Sequence, residues 1–584
     1  MFHLLFFSFF ANIVSNTGGI SLEYVIFGAG RNAEYLIDNL EKQDFNILGL
    51  VDNDEKKWGM QVKNYKVFPP ASLNNTFDGE SIEILISVAD RSMYWEIVQQ
   101  LCNMGKIPGR DFRNGFEFNT LADIPGRVSG PIDLPEEFHA CKSFDSASRL
   151  VMMTNAKRIF RIVFQGYESY YREILARCER YRIMGEYLID TKEVVNQWNL
   201  PCAMVLEHRY IKPISYSFEW TPAMFGEYVI FMLNFMEKLT KASLYLNDGH
   251  HMNATIYHGN FIFLDFGAIA VSHGKIPSAP LITFLNMHLI PLVLMQRGQT
   301  KKAYTCLKNA GIEYTIFDVQ GYMSKEEIEL YMSMLKKTTN ITDAKDMYSF
   351  LNTCKLFIEK IQNNVHATEW MGYQSDEWEK SAYPEKWSKK MKNVIRWIRR
   401  VNPSTLLDVA GNMGWYGSYF HENMKYVMIM DMDIDCLNVV WRKSHTGEYR
   451  NVIPLYMSFC APTLANYRDE YIDESFGIYP WLPGAKQRFR ADLVLSLAIV
   501  HHLAFRWQLS FEEIIGQLRS FSKKFLIIEF VDKGDRYIRD FHKERFDWYT
   551  KEKFEEILKK SFDILETAPS TPGITRTLYL CKVK

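Results

Sequence analysis

The chain has 584 residues, of which 47% are hydrophobic and 23% charged, a composition typical of globular proteins and long enough for three or four domains. Its 68 basic and 69 acidic residues leave a net charge of −1, which favours neither a nucleic-acid partner nor an acidic membrane surface. The nine cysteines are scattered and form no CxxC pair, which argues against a disulfide framework or a zinc site and favours a cytoplasmic protein.

Two apolar stretches bear on membrane insertion. Residues 1–14 are too few to span a bilayer and lack a basic flank, so we treat 1–21 as an apolar N-terminal tail, with an anchor as the less favoured alternative. The run 281–295 is interrupted by Asn286 and His288, which favours a buried helix. We therefore predict no transmembrane span.

The first predicted domain, 22–125, begins with a strand that leads into a glycine-containing turn and a helix. Gly28 and Gly30 occupy that turn, and Asp52 ends the following apolar strand. This order fits a dinucleotide fingerprint, in which the helix N-terminus holds a pyrophosphate. Strands that alternate with helices predict a parallel sheet. The segment resembles small nucleotide- or nucleotide-sugar-binding domains found beside sugar-modifying enzymes, which implies a binding or docking role. A dehydrogenase, or a fold retained without ligand, is the less favoured alternative.

The second predicted domain, 146–363, begins with strand-like segments and is largely helical after Trp220. Asp248 is followed by Asn253 five residues later and by Asp265, in an Asp-Phe-Gly triplet, seventeen residues later. In phosphotransfer the first Asp positions or deprotonates a hydroxyl, and the Asn and second Asp hold Mg²⁺ against the phosphates. The segment resembles the protein-kinase-like and aminoglycoside-phosphotransferase-like fold, which implies that Mg-ATP is the cofactor.

This second domain departs from the kinase pattern in two respects. No Gly-rich loop lies between residues 146 and 164, and no Lys lies on a clear third strand. Arg161 is the nearest cation that could bind phosphate, with Lys157 as second choice, and Glu173 is predicted to pair with it. Two interpretations stay open: an active kinase, or a nucleotide-binding or purely structural domain.

The third predicted domain, 366–584, contains a second strand-turn-helix signature. The segment 405–415 carries Asp408, Gly411 and Gly414, and the next strand ends at Asp431, 23 residues after Asp408. Glycines at such a turn let the backbone bend sharply and approach a ligand, and an acid at the end of the second strand can bind ribose hydroxyls. The spacing fits one βαβ step.

Two further strands follow in this domain, at 491–498 and 525–530, and His501 and His502 come directly after the first of them. The ordered set resembles class I methyltransferases, particularly a group related to nodulation-type host-specificity proteins. The middle segment 214–220 resembles a "SYPYEW" segment of the same group. The resemblance implies S-adenosylmethionine as cofactor.

The resemblance also suggests roles for individual residues. Those expected to contact S-adenosylmethionine are Asp408, Gly411, Gly414, Asp431, Ser458 and Asp492. Ser458 lies where many such enzymes place an acid that binds adenine. His501 or His502 is the candidate base for a hydroxyl acceptor, and a structural role at the strand end is the alternative.

We therefore predict a multi-domain α/β protein with an N-terminal Rossmann-like domain, an α+β kinase-like domain and a C-terminal class I methyltransferase domain with a seven-stranded sheet. The predicted activity is O-methylation of a small-molecule or glycan acceptor of the surface-glycan or glycolipid type, and phosphorylation of that acceptor would come first. One alternative is a methyltransferase with an inactive kinase-like scaffold. The other is a non-enzymatic nucleotide-binding sensor.

Overall fold

The computed structural model describes residues 23–41, 45–77, 82–88, 91–106, 111–114, 134–135, 137–140, 147–153, 156–308, 314–361, 383–463, 484–535, 538, 545–571 and 575–584. The predicted N-terminal tail, 1–21, lies outside these residues. The described chain forms two compact units, one up to Asn114 and the other from Leu134 onward. The prediction of a multi-domain α/β protein is confirmed.

The first unit is a mostly parallel sheet with an apolar core on each face. Its elements are β1 (Glu23–Phe27), α1 (Arg31–Glu41), β2 (Asn46–Val51), β3 (Gln61–Val62), β4 (Tyr65–Phe68), β5 (Ile82–Ile86), α2 (Arg91–Asn103) and β6 (Phe112–Asn114). The strand order is β3-β4-β2-β1-β5-β6, and only the β3–β4 pair is antiparallel. Helix α1 buries Ala33, Leu36, Ile37 and Leu40 completely, because their 3- and 4-residue spacing places them on one face.

The second unit begins with an antiparallel sheet and one long helix. Its elements are β7 (Phe138–Ala140), β8 (Ser148–Met153), β9 (Arg158–Val163), α3 (Glu168–Arg180), β10 (Thr191–Val194) and β11 (Met204–His208). The order is β10-β11-β9-β8-β7, with every neighbouring pair antiparallel. Strand β7 belongs to this sheet although it precedes residue 146, the predicted start of the domain.

A helical part follows, interrupted by two small β-pairs. Its elements are α4 (Pro222–Lys241), β12 (Leu244–Leu246), β13 (Ala254–Tyr257), β14 (Asn260–Phe263), β15 (Ile269–Val271), α5 (Ser278–Phe284), a π-helix (Leu285–Leu289), α6 (Ile290–Gln296), α7 (Thr300–Lys308), α8 (Ile316–Val319), α9 (Lys325–Lys337) and α10 (Ala344–Ile361). The helical run Ser278–Gln296 is long and apolar enough to cross a membrane by length and composition, and 83% of its most apolar window is buried inside the protein. Here it packs as a core helix.

The C-terminal region is a seven-stranded sheet flanked by helices. Its elements are α11 (Lys389–Val401), β16 (Thr405–Val409), α12 (Trp415–Ser418), β17 (Tyr426–Asp431), α13 (Ile434–His445), β18 (Val452–Tyr456), α14 (Ala485–Arg488), β19 (Ala491–Ser496), α15 (Val500–Phe505), α16 (Phe511–Phe521), β20 (Ser522–Val531), α17 (Lys551–Ser561), β21 (Phe562–Pro569) and β22 (Arg576–Val583). The order is β18-β17-β16-β19-β20-β22-β21, parallel except for β22, which runs antiparallel to both neighbours. Central strands β16 and β19 are buried along their whole length, as a sheet covered on both faces requires.

Buried polar contacts join the middle and C-terminal regions of the second unit. Arg488 and Glu219 form an ion pair with side chains 0% and 1% exposed. Trp441 Nε1 donates to Glu227 Oε2 at 2.7 Å. Gly259 lies at the turn between β13 and β14, and a Cβ there would lie 2.2 Å from the backbone oxygen of Ser444. The two regions are therefore packed together closely enough to require a glycine at their contact.

Candidate functional site

The loop after β16 brings the predicted cofactor residues together. Asp408 is buried near the end of β16, and its Oδ2 has no hydrogen-bond partner among the described residues. Burial, and secondarily the neighbouring carboxylate of Asp431, raise the pKa of Asp408 to about 7. A buried carboxyl oxygen without a partner is costly in a finished fold, so we expect a ligand or a bound proton to compensate it.

Asp431 ends β17, beside this loop. Its Oδ2 accepts a hydrogen bond from the backbone amide of Asn412 at 2.7 Å, and its Oδ1 accepts from the amides of Met432 and Asp433 at 2.7 and 2.9 Å. Burial raises the pKa of Asp431, and these three amides act in the opposite direction. The carboxylate is thus held in a fixed orientation at the carboxyl edge of the sheet, where ligands bind in open α/β folds.

The glycines of this loop are needed for the turn and also for packing within the protein. A Cβ on Gly411 would lie 2.9 Å from Asp408 Cγ, and a Cβ on Gly414 would lie 2.8 Å from Ile429 Cγ1. Gly414 also has φ +72°, in the left-handed region. Both glycines are therefore required by the turn and by packing within the protein, because a Cβ at either position would collide with the chain's own side chains.

A charged cluster that the sequence analysis missed adjoins this loop. Lys390 Nζ, on helix α11, donates to Glu529 Oε2 at 2.7 Å, and Ser570 Oγ donates to the other oxygen of that carboxylate. Glu529 is completely buried in β20. Burial acts to raise the pKa of Glu529, but Lys390 and Ser570 outweigh it and lower that pKa. Lys390 also acts electrostatically on Asp408 and His501. A Glu within the apolar run of β20 was the available sequence signal for this cluster.

The two histidines lie at the start of α15, which follows β19. Their ring centroids are 4.2 Å apart. Burial, then His502, Arg576 and Lys390, lower the pKa of His501 to about 3, although Asp535 opposes this. A neutral imidazole with so low a pKa is a weak proton acceptor at neutral pH. His502 is half-buried, and burial followed by Arg506 lowers its pKa.

The structure separates the two remaining predicted cofactor residues. Ser458 follows β18 at the same edge as Asp431, where the Met457 amide donates to the Asp431 carbonyl at 3.0 Å. Asp492 lies at the opposite edge, because it is the second residue of β19 and β19 is parallel to β16. Its carboxylate accepts from the Ser404 amide at 3.1 Å and pairs with Lys524 at 3.3 Å. The prediction that Asp492 binds the cofactor is therefore corrected: it is a structural acid at the amino ends of the strands.

The predicted phosphotransfer residues of the middle region also converge. Asp248 follows β12 and Asp265 follows β14, and Asn253 lies between them. Asn253 Nδ2 donates to the Asp248 carbonyl at 3.4 Å, and its Oδ1, which is buried, has no hydrogen-bond partner among the described residues. Burial and the carboxylate of Asp265 raise the pKa of Asp248 to about 7. Two carboxylates and an amide oxygen are thus close together, partly shielded from water.

A direct ion pair occupies one of these carboxylates. Arg161 Nη2, on β9, donates to Asp265 Oδ1 at 2.6 Å, and its Nη1 donates to Ser148 Oγ at 2.8 Å. The prediction that Glu173 pairs with Arg161 is wrong, because Glu173 binds Arg177 one helical turn away. Within the described ranges, no group of three or more His, Cys, Asp or Glu side chains is arranged as metal ligands. Arg161 therefore neutralises the acid that the sequence assigned to Mg²⁺.

The glycine turn of the first unit resembles that of the C-terminal region in geometry. Gly28 has φ +106°, and a Cβ there would lie 2.9 Å from Ser87 Oγ, whereas a Cβ on Gly30 would meet open space. Asp52 accepts from the Ala29 amide at 2.6 Å and from Lys57 Nζ at 2.9 Å. Burial acts to raise the pKa of Asp52, but backbone amides and Lys57 outweigh it and lower that pKa. The acid is thus ionised and bound to the turn itself.

Comparisons with known proteins cover different parts of the chain. Residues 21–109 match a family model described as C2185-like, N-terminal. Nodulation protein NoeA of Rhizobium meliloti (strain 1021) is 22% identical in an alignment 517 residues long, which covers 78% of this chain and 96% of that protein. N-methyltransferase NodS from Bradyrhizobium japonicum WM9 is similar to 36% of this chain over 98% of its own, with 9% identity and a TM-score of 0.24. Magnesium protoporphyrin IX methyltransferase (ChlM) from Synechocystis PCC 6803, solved with SAH, is similar to 38% of this chain over 90% of its own, with 11% identity and a TM-score of 0.25.

Proposed function

We propose that the C-terminal region is an S-adenosylmethionine-dependent methyltransferase. The carrying observation is the pair of acids at the carboxyl edge of the sheet. Asp408 has a buried oxygen without a partner among the described residues, and Asp431 is oriented by three backbone amides. The seven strands of this sheet support the same proposal, since the resemblance implies a seven-stranded class I methyltransferase sheet.

In this proposal the residues of the loop after β16 hold the cofactor and orient the acceptor. Asp431 binds the ribose hydroxyls, and Asp408 faces the positively charged sulfonium side, where its negative form is favoured. The bound cofactor supplies an activated methyl group. The Lys390–Glu529 pair presents fixed charges near Asp408, where it can orient a polar acceptor. His502, with its more exposed ring, is the better candidate than His501 to accept a proton from a hydroxyl.

We infer an oxygen acceptor of the surface-glycan or glycolipid type, and a cytoplasmic location. The acceptor rests on the family resemblance of the sequence, and the location on the scattered cysteines. NoeA is named a nodulation protein, and its match extends over 78% of this chain. That breadth supports an arrangement in which the parts of the chain within the match serve one process.

The cofactor proposal is tested by calorimetric titration of S-adenosylmethionine into the full chain and two variants. Asp431→Asn removes the ribose-binding charge and should weaken binding at least tenfold, about 1.4 kcal/mol. Asp563→Asn is the matched control, since that carboxylate is 60% exposed and pairs only loosely with Lys584, at 3.8 Å. It should bind as the unaltered protein does. If the unaltered protein binds no S-adenosylmethionine, or if both variants bind equally, the proposal is refuted.

We propose a nucleotide site for the middle region, with Asn253 and Asp265 as the groups that hold Mg²⁺ of Mg-ATP and Asp248 facing the hydroxyl acceptor. Asn253 Oδ1, buried and without a partner among the described residues, favours a cation there. The Arg161–Asp265 pair favours the alternative, an inactive scaffold, because Mg²⁺ would have to displace the guanidinium. Binding of Mg-ATP by the unaltered protein that is lost in Asp265→Asn would support the site. If neither the unaltered protein nor the variant binds Mg-ATP, the middle region is an inactive scaffold.

For the first unit we propose a nucleotide or nucleotide-sugar ligand at the turn after β1. The open space above Gly30 supports a close approach of a phosphate to the backbone. Titration of UDP-glucose into the full chain and into Gly30→Val tests it. Loss of binding in the variant is the expected result, and no binding by the unaltered protein would refute it.

A further inference from the structure

A second cleft lies at the edge of the C-terminal sheet opposite to Asp408 and Asp431. Its volume is about 560 Å³, and it separates the amino ends of the parallel strands from the middle region. Thr405, at the start of β16, lines it. Three residues of extended strand, at ~3.3 Å each, place Thr405 about 10 Å from Asp408. The cleft is therefore distinct from the proposed cofactor site.

The walls of this cleft carry a marked excess of positive charge. Five lysines line it, against the single carboxylate of Asp492: Lys157, Lys212, Lys425, Lys523 and Lys524. The whole chain has a net charge of −1, so this excess is local and not a general property of the protein. A concave surface of one sign concentrates counterions and attracts ligands of the opposite sign.

The five lysines differ in how far the chain neutralises their charge. Asp492 is already held by Ser404 and Lys524. Lys157 and Lys425 are exposed, and neither forms an ion pair with another described residue. His258 adds no positive charge at neutral pH, because burial, followed by Arg209 and Arg450, lowers its pKa. The charges of Lys157 and Lys425 therefore remain available to a ligand.

Two of the cleft residues are held in backbone conformations that favour glycine. Lys157 has φ 50° and His258 has φ 49°. A non-glycine residue in the left-handed region is strained, because its Cβ approaches the following carbonyl oxygen. Lys157 and His258 thus place polar side chains on the cleft at two positions where glycine would adopt the backbone conformation with less strain.

Three tyrosines also line the cleft: Tyr210, Tyr257 and Tyr426. A tyrosine side chain combines an apolar ring with a hydroxyl, a combination suited to a ring-shaped polar ligand. The volume of about 560 Å³ lies within the range of sites for small molecules, roughly 300–1,000 Å³. Lysines bind carboxylate and phosphate oxygens as point charges without strict geometry.

We propose that this cleft binds an anionic saccharide, whose carboxylate or phosphate groups pair with Lys157 and Lys425 while a sugar ring lies against the tyrosines. This site is independent of the methyltransferase proposal. It would hold a charged portion of a glycan at a distance from the carboxyl edge of the sheet.

The test is calorimetric titration of the full chain with three probes: trigalacturonate, glucose 6-phosphate and uncharged maltose. The unaltered protein should bind one of the two anions and not maltose, and the anion that binds identifies the charged group. The cleft variant Lys157→Gln/Lys425→Gln should weaken that binding at least tenfold. The control Lys325→Gln/Lys336→Gln makes the same charge change on exposed residues outside the cleft and should bind normally.

Several results would overturn the proposal. Binding of neither anion would do so, as would equal weakening in the cleft and control variants, which would indicate non-specific charge attraction. If maltose bound as tightly as the anions, the lysines would not contribute to binding. A single-stranded oligonucleotide that binds when both saccharides fail would assign the cleft to nucleic acid instead. The S-adenosylmethionine titration, repeated on the cleft variant, separates failure here from failure of the proposed function.

Discussion

The buried ion pair between Arg488 and Glu219 makes the packing of the middle region on the C-terminal region testable. Arg488 Nη1 donates to Glu219 Oε2 at 2.9 Å and to the Ile214 carbonyl at 2.7 Å, and its Nη2 binds the other carboxylate oxygen. Glu219 also accepts from Thr463 Oγ1 at 2.7 Å and from the Tyr216 amide at 2.9 Å. The side chains of Arg488 and Glu219 are 0% and 1% exposed, so water cannot replace a lost charge.

Arg488→Met removes the cation and leaves the carboxylate buried without compensation. Methionine retains apolar contact with the two rings that flank the guanidinium, each with its centroid 4.4 Å away. Breaking a buried pair from one side costs about 3–5 kcal/mol. We therefore expect this loss in the free energy of unfolding of the second unit. The double variant Arg488→Met/Glu219→Gln should cost less than the single one, since it leaves no buried charge.

The assay is urea unfolding of the full chain, followed by hydrogen exchange of the peptide that contains 484–490. The matched control is Arg172→Met, because the Arg172–Glu193 pair has a similar separation, 2.7 Å, but side chains 55% and 38% exposed. Exposed pairs contribute about 0–1 kcal/mol. The reasoning fails if Arg488→Met costs no more than Arg172→Met. It also fails if the double variant costs the sum of its two single changes.

Two further predictions concern packing and pH. Gly259→Ala should destabilise the second unit more than Gly298→Ala in thermal unfolding, because both glycines have positive φ (+76° and +71°) but only the first would place its Cβ against Ser444. Equal losses of thermal stability would show that the positive φ alone, and not the contact with Ser444, causes the destabilisation. The pKa of Asp408 is raised to about 7 from an unfolded value near 4, so the folded state binds the extra proton and this group destabilises the fold as pH rises from about 4 to 7. Asp408→Asn should therefore flatten the pH dependence of stability in that window and stabilise the protein above pH 7. Asp563→Asn is the control, and an unchanged pH profile in Asp408→Asn would contradict the prediction.

Local segments of the fold could be predicted because their patterns depend on neighbouring residues. The apolar runs of β16, β17 and β19 identify strands buried on both faces, and the 23-residue spacing of Asp408 and Asp431 corresponds to one strand-helix-strand step. Asp248, Asn253 and Asp265 converge because one short hairpin carries them between β12 and β15.

Contacts between distant segments could not be predicted in the same way. Asp492 was assigned to the cofactor because its strand was recognised, but only the direction of β19 in the sheet shows that it lies at the opposite edge. Glu173 was assigned to Arg161, yet the neighbour one helical turn away, Arg177, competes for it more effectively.

By itself, the sequence determined the order of elements, the parallel sheets and the acids at the ends of β16 and β17, since hydrophobic periodicity and turn residues act over a few positions. Only the tertiary structure decided which charges meet. Arg161 reaches Asp265 across 104 residues, Lys390 reaches Glu529 across 139, and the cleft gathers Lys157 with Lys425. A buried charge requires compensation from whichever group the packed chain brings within reach, and that choice is made by the whole fold.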